Sequence, residues 1–254
     1  MQDAHNHLQD RRFEGIREDV IITMLNHGVT RCVVNGTSPR DWPKVAALAA
    51  QYPKLIIPSF GLHPWQQPTN GWHEQLVTHL DSVPHACIGE CGLDRWIIDH
   101  DIDVQRAVFT AQLNLAEQRN LPLSIHCLKA WGILLEILES HALPERGFLL
   151  HSYAGSAELV PRLAKLGAYF SFSGHFLHER KQNVREAFMA VPPDRLLIET
   201  DAPDMLPPDH VIGHPLENQL NHPANLLGIH AAASDFLDVS GVPENFSRFF
   251  ENGT

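Results

Sequence analysis

Eight short apolar runs, most of them followed by a segment of helical period, constrain this chain more than any other feature. After the opening stretch Asp3 to Leu8, the runs are Arg31 to Gly36, Leu55 to Gly61, Ala86 to Glu90, Pro122 to Cys127, Phe148 to Ser152, Ala168 to Gly174 and Leu196 to Asp201. Each is short, apolar or β-branched, and bounded by turn residues, as a buried strand requires. Between them the period changes to that of a helix. Ile16, Val20, Ile21, Met24 and Leu25 predict one buried face, closed by Gly28. Trp42 to Ala50 and Trp72 to Leu80 are helical, and Ile102, Phe109, Leu113 and Ala116 stripe the longest helix. Ile133, Leu134, Ile137 and Leu138 mark the next one. Ser156 is placed to cap a helix in which Pro161 demands a late start or a bend, and a further helix covers Glu179 to Ala190. Strands separated by helices run parallel, because each crossover returns the chain to the same end. Eight such units in 254 residues predict an α/β fold, a (β/α)8 TIM barrel, regular or distorted, forming a single domain over residues 1–254. No Gly-x-Gly-x-x-Gly follows the first strand, which argues against a dinucleotide fold.

Charge and cysteine usage narrow the function classes. Thirty acidic against nineteen basic residues give a formal charge of −11, which offers no broad grip on duplex DNA or an anionic membrane. A short nucleic-acid end, or a small anion held locally by metal, stays within reach. Cys32, Cys87, Cys91 and Cys127 have neither metal-binding CxxC spacing nor a disulfide-framework pattern, so reduced thiols in a cytoplasmic protein are expected. No apolar run approaches the roughly 18–20 residues needed to span a bilayer.

His5 and His7 stand one residue apart on the opening strand, and side chains two apart share a strand face, so both imidazoles can reach one divalent cation. Alone, such a pair is weak evidence, because histidines two apart often lie together on a surface. Four later strands each end on a residue a divalent metal accepts: Glu90, His126, His151 and Asp201. Singly, each has a plain structural explanation. A strand histidine is commonly satisfied by a backbone carbonyl, and an aspartate before Ala-Pro commonly caps a turn. Glu90, flanked by Gly89 and by Cys91-Gly92, is costly to bury without a cation or an arginine. In a parallel barrel, however, strand C-termini converge on one mouth. One binuclear metal site explains all six residues together.

These stretches resemble a known family. His5-x-His7, Gly61-Leu62-His63-Pro64, Gly89-Glu90-Cys91-Gly92-Leu93-Asp94, Ile125-His126-Cys127, His151-Ser152-Tyr153-Ala154-Gly155-Ser156 and Glu199-Thr200-Asp201-Ala202-Pro203 resemble, in order and spacing, the TatD family of metal-dependent hydrolases. The resemblance implies a barrel enzyme of the amidohydrolase-like group, with deoxyribonuclease activity in some members. It implies one metal held by His5, His7, Glu90 and Asp201, a second by Glu90, His126 and His151, and Glu90 as the bridge. Two divalent ions (Zn, Mn or Mg) would activate a shared water, with Asp201 as proton acceptor. His63 and Asp94 would lie near the mouth and orient substrate or leaving group.

Several positions depart from the family pattern. Leu128, followed by Lys129, stands where many members carry arginine, and Leu220-Asn221-His222-Pro223 replaces an Arg-Asn-Glu-Pro segment. Asp204 adds negative charge near the same mouth, and Val239 to Thr254 is short for the family's closing helices, which would leave the barrel bottom less covered. Cys91 and Cys127, one residue past candidate ligands, are expected to point away as inert thiols. Trp65, Trp72 and Trp96 could stack on a base or simply cover the rim. His73, His79, His85, His175, His178, His210 and His214 are expected in solvent, with no shared role. Three functions follow: a phosphodiesterase or nuclease acting on a nucleic-acid end, a hydrolase of a small amide, lactone or phosphate ester with the same metals, or a non-enzymatic metal-holding or partner-binding scaffold. The complete ligand set speaks against the third, since a scaffold needs no bridging carboxylate.

Overall fold

The computed structural model describes residues 1–99 and 101–251. Its strands are β1 Gln2–Asn6, β2 Arg31–Gly36, β3 Ile56–Phe60, β4 Cys87–Asp94, β5 Leu123–Leu128, β6 Phe148–Leu150, β7 Ala168–Ser173 and β8 Leu196–Glu199. They pair in sequence order, each parallel to the next. Helices α1 Arg17–Asn26, α2 Trp42–Gln51, α3 Trp72–Ser82, α4 Ile102–Arg119, α5 Trp131–Ser140, α6 Val160–Lys165 and α7 Gln182–Phe188 connect them, and α8 Leu226–Ser234 and α9 Val242–Phe246 follow β8. This is the expected (β/α)8 barrel. Its seam lies between β8 and β1, where side chains supplement the backbone. Asp201 N donates to His5 O at 2.9 Å and His7 N to Ala202 O at 2.7 Å. The buried Asp3 carboxylate accepts from Thr200 N (2.9 Å), Thr200 Oγ1 (2.6 Å) and Asn6 Nδ2 (3.0 Å). Here a short polar side chain adds to the few backbone bonds that cross between the two segments.

The local expectations hold with physical exceptions. On α1 only Val20, Ile21 and Met24 are buried; Ile16 and Leu25 are 37% and 48% exposed, so the face against the barrel is a narrower stripe than the apolar spacing suggests. Pro161 sits in the first turn of α6, the late start that proline requires. Ser156 does precede that helical region, but its side chain caps nothing; its carbonyl instead accepts from the Tyr153 hydroxyl at 2.7 Å. Strand β4 runs four residues past Glu90, because a register shift between Ile88 and Cys91 lets pairing with β5 resume.

The short C-terminal segment covers the barrel bottom, contrary to expectation. Phe246, Phe249 and Phe250 join Ala4, Val33, Ile57, Cys87, Leu149, Tyr169 and Leu197 in a second buried cluster, built from residues near the strand N-termini. Phe249 lies against Tyr169 with ring centroids 4.7 Å apart. Burying a phenylalanine fully is worth about 1.5–3 kcal/mol, so three aromatic rings do the work of longer helices. Asn245 Nδ2 fastens α9 beneath β8 by donating to Pro193 O (2.7 Å) and Leu196 O (2.9 Å).

The scattered histidines are not all in solvent. His79 packs against Trp42 and Phe60, and His175 is partly buried, with its pKa lowered to about 4 by burial and by the nearby Lys181. His27 meets His214 (4.1 Å between centroids), which meets His222 (5.4 Å). His222 is buried, and its Nδ1 accepts from Ala224 N at 2.9 Å, which requires a neutral ring. Burial first, then His214 and His27, lower its pKa to about 4. The unfolded chain takes this proton near pH 6.5 and the native state only near 4, so stability is complete above 6.5 and falls as pH drops through that window. The slope from one such group is at most about 1.4 kcal/mol per pH unit. H222N keeps an acceptor at the cap and removes the titration, so its melting temperature should vary less than the wild type's between pH 6.5 and 4. Equal slopes would remove His222 from the acid response.

Candidate metal centre

Five strand ends build the centre from the six expected residues. His5 lies near the end of β1 and His7 one residue past it; Glu90 lies within β4, His126 within β5, His151 just after β6, and Asp201 two residues after β8. Glu90 is aimed inward by an irregular backbone. Gly89 has φ +140° and Gly92 φ +142°, values that side-chain-bearing residues rarely adopt. A Cβ on Gly92 would also stand 2.0 Å from the His126 carbonyl oxygen, so glycine alone lets β4 and β5 close beside the glutamate.

The buried Glu90 carboxylate is the hub. Its Oε1 lies 2.8 Å from His151 Nε2, 3.0 Å from His126 Nδ1 and 3.1 Å from His63 Nε2. Its Oε2 lies 3.3 Å from His7 Nε2 and 3.4 Å from His5 Nε2. Asp201 Oδ1 approaches the same two nitrogens, at 3.5 Å from His7 and 3.7 Å from His5. All six expected ligands therefore come together. So do His63 and Asp94, but in closer contact with the centre than a place near the mouth suggested. His63 touches Glu90 itself, and Asp94 Oδ2 lies 2.9 Å from His126 Nε2.

Glu199 escaped the sequence reading. It is fully buried in β8, where Ser152 N (2.8 Å), Ser152 Oγ (2.5 Å) and Ser171 Oγ donate to it, and His151 Nδ1 lies 3.6 Å away. The signal was its place inside the apolar run Leu196 to Asp201, where a carboxylate is costly to bury without partners. Asp94 and Glu199 thus back His126 and His151 from behind, as carboxylates commonly back metal-binding histidines. Asp94 is in turn held by Trp65 Nε1 (2.7 Å) and the Trp96 amide (2.6 Å). Burial alone would raise its pKa, but the bonds from His126 and Trp65 hold it down at about 2.

The donor set fits divalent cations. His5 Nε2 and His7 Nε2 face each other at 3.3 Å, as do His126 Nδ1 and His151 Nε2. Two ring nitrogens so placed need a proton or a cation between their lone pairs. Burial would lower the pKa of His7, yet Asp201 and Glu90 raise it well above the ordinary value; His5 and His63 are lowered, chiefly by burial. Burial would likewise raise Glu90, but His63, His151 and His126 hold it well below the usual carboxylate range. Three overlapping groups have ligand atoms within metal-sharing distance: His5, His7 and Glu90; His63, Glu90 and His126; and His5, His151 and Glu199. Nitrogen-rich donors with carboxylates suit Zn or Mn and admit Mg.

Outside this hub, Asp204 contributes less free negative charge than its sequence position suggests, because Arg12 pairs with it at 2.6 Å. All four cysteines are free and buried, and burial raises the Cys91 and Cys127 thiols, as inert side chains require. Among the described residues no helix is long and apolar enough to cross a membrane.

A parallel eight-stranded barrel gathering histidines around a buried carboxylate at its C-terminal mouth defines the class of metal-dependent barrel hydrolases. The family model described as TatD related DNase matches residues 2–244, and the chain belongs to that family. The chain is 30% identical to the "Uncharacterized metal-dependent hydrolase YabD" of Bacillus subtilis, over 98% of each chain. It is 31% identical to the "3'-5' ssDNA/RNA exonuclease TatD" of Escherichia coli, covering 89% of this chain and 87% of that one. Among solved structures, the TatD homolog YjjV of Escherichia coli superposes with a TM-score of 0.90 at 26% identity, covering 100% and 98%.

Proposed function

We propose that this hydrolase is a phosphodiesterase that removes nucleotides from the end of a single-stranded nucleic acid, using two divalent cations, with residues 1–254 acting as one unit. The observation that carries this reading is the single buried carboxylate of Glu90 facing five imidazoles. His5, His7, Glu90, Asp201, His126 and His151 would hold the cations, with Glu90 serving both and His63 close enough to join the second set. Bound there, the cations supply Lewis acidity and lower the pKa of water toward neutrality. Asp201, the most solvent-accessible of the carboxylates touching the centre, takes the proton from the attacking water. Asp94 and Glu199 fix the ring orientations of His126 and His151, and the mouth admits substrate from one side only. The relative named an ssDNA/RNA exonuclease supports the choice of bond. A charge of −11 favours a strand end over a long duplex.

The test is a substrate panel. Protein stripped by chelator should be inactive, and Mg, Mn or Zn should restore release of mononucleotides from a 3'-labelled single strand. Lactones, acyl amides and simple phosphate esters run beside it. Turnover of one of these, with no strand cleavage under any metal, would replace the nuclease reading with that of a small-ester or amide hydrolase.

A further inference from the structure

We propose that Trp65 forms a base-stacking subsite for the terminal, unpaired nucleobase of the substrate strand. The proposal rests on the phosphodiesterase reading and adds the part of the substrate that is recognised. Trp65 is 53% exposed, yet it is pinned at two points. Its indole N–H donates to Asp94 Oδ2 at 2.7 Å, and its amide donates to His63 Nδ1 at 3.1 Å. Both partners are buried and both touch the metal centre. The ring centroid stands 5.0 Å from His63 and 6.3 Å from His126, with the rings at 85° and 71°. His63 touches both Glu90 and Trp65, so a phosphodiester held by cations at this centre would lie within the span of one nucleotide from the indole.

A tryptophan that merely covered the rim would bury its ring and leave its N–H in water. This one spends its N–H on a buried carboxylate and leaves over half of itself exposed. The cleft beside it is small, about 30 Å³, so the exposed face of the indole is the larger surface offered to a base. Stacking of this kind tolerates any base sequence and needs no positive charge. That suits a polyanion-binding enzyme whose own net charge is −11. An unpaired base can turn onto the ring freely, whereas a base within a duplex must first leave its pair and its stack.

The experiment compares two single strands, one ending in a normal 3' nucleotide and one whose last nucleotide lacks a base. For the wild type, KM should be roughly five- to hundredfold lower for the normal strand, the range expected from losing one base–aromatic stack. W65F retains an aromatic face and should keep most of that ratio, while W65A should bring it close to one. A ratio in W65A equal to the wild type's overturns the subsite. A second readout needs no turnover. In chelator-stripped protein, dAMP should quench tryptophan emission and deoxyribose 5-phosphate should not, and W65F should abolish the quench. A quench that persists in W65F arises at another tryptophan and overturns the assignment. If no strand is cleaved by any metal-loaded form, the phosphodiesterase reading fails, and the quench alone decides the subsite.

Discussion

Replacing Glu90 by alanine should abolish turnover and metal uptake together. Its two oxygens lie within 3.4 Å of nitrogens from His5, His7, His63, His126 and His151, so no other side chain can take over its contacts. Losing a partner that only supports a metal ligand costs about 10–100-fold in affinity or activity. Loss of the shared carboxylate should exceed that, with kcat down by more than about a hundredfold. Metal content after dialysis, measured by elemental analysis, should fall in parallel. Removing the negative centre also leaves histidines facing one another in a buried pocket, at a cost of roughly 3–5 kcal/mol for breaking a buried ion pair. E90Q retains the shape and two polar atoms, and should fold closer to wild type while remaining inactive. Metal-stimulated turnover in either variant would remove Glu90 from the centre.

Glu199→Ala should produce the second-largest effect, and chiefly on stability. The carboxylate is fully buried and receives three hydrogen bonds, from Ser152 N, Ser152 Oγ and Ser171 Oγ. Deleting it strands those donors and opens space behind His151, whose ring is stacked 4.0 Å from that of His5. Each unsatisfied buried donor costs about 1–3 kcal/mol, so the melting temperature should drop by many degrees. Metal affinity should fall by roughly 10–100-fold through the loosened His151. E199Q, which preserves an acceptor for the serines, separates the two effects: it should recover much of the stability while affinity stays reduced. Wild-type metal affinity in E199Q would show that His151 needs no anionic support.

Much of the fold was legible because its signals are local. A strand buried on both faces is a short apolar run whatever its neighbours, and a helix on the barrel's outside repeats every three to four residues whatever it covers. The misjudged parts depend on contacts between distant segments. Whether Ile16 and Leu25 are covered depends on how α1 leans on the barrel. The bottom is closed because three phenylalanines of a short tail meet residues from seven strands, which no count of tail residues anticipates. Beyond Glu90, β4 continues because of a register shift, and register is a property of a strand pair.

The candidate site divides the same way. By itself the sequence determined the kind of chemistry: metal-accepting residue types at the ends of strands one, four, five, six and eight, on a pattern that sends strand ends to one mouth. Only the tertiary structure decided who touches whom. It made Glu90 the hub, drew His63 and Asp94 into contact with it and with His126, set the unsuspected Glu199 behind His151, and tied Trp65 to the centre through Asp94. The reason is that spacing along a strand reports the face a side chain occupies. Its partners across the barrel are chosen by closure and register, which arise only when all eight strands are in place.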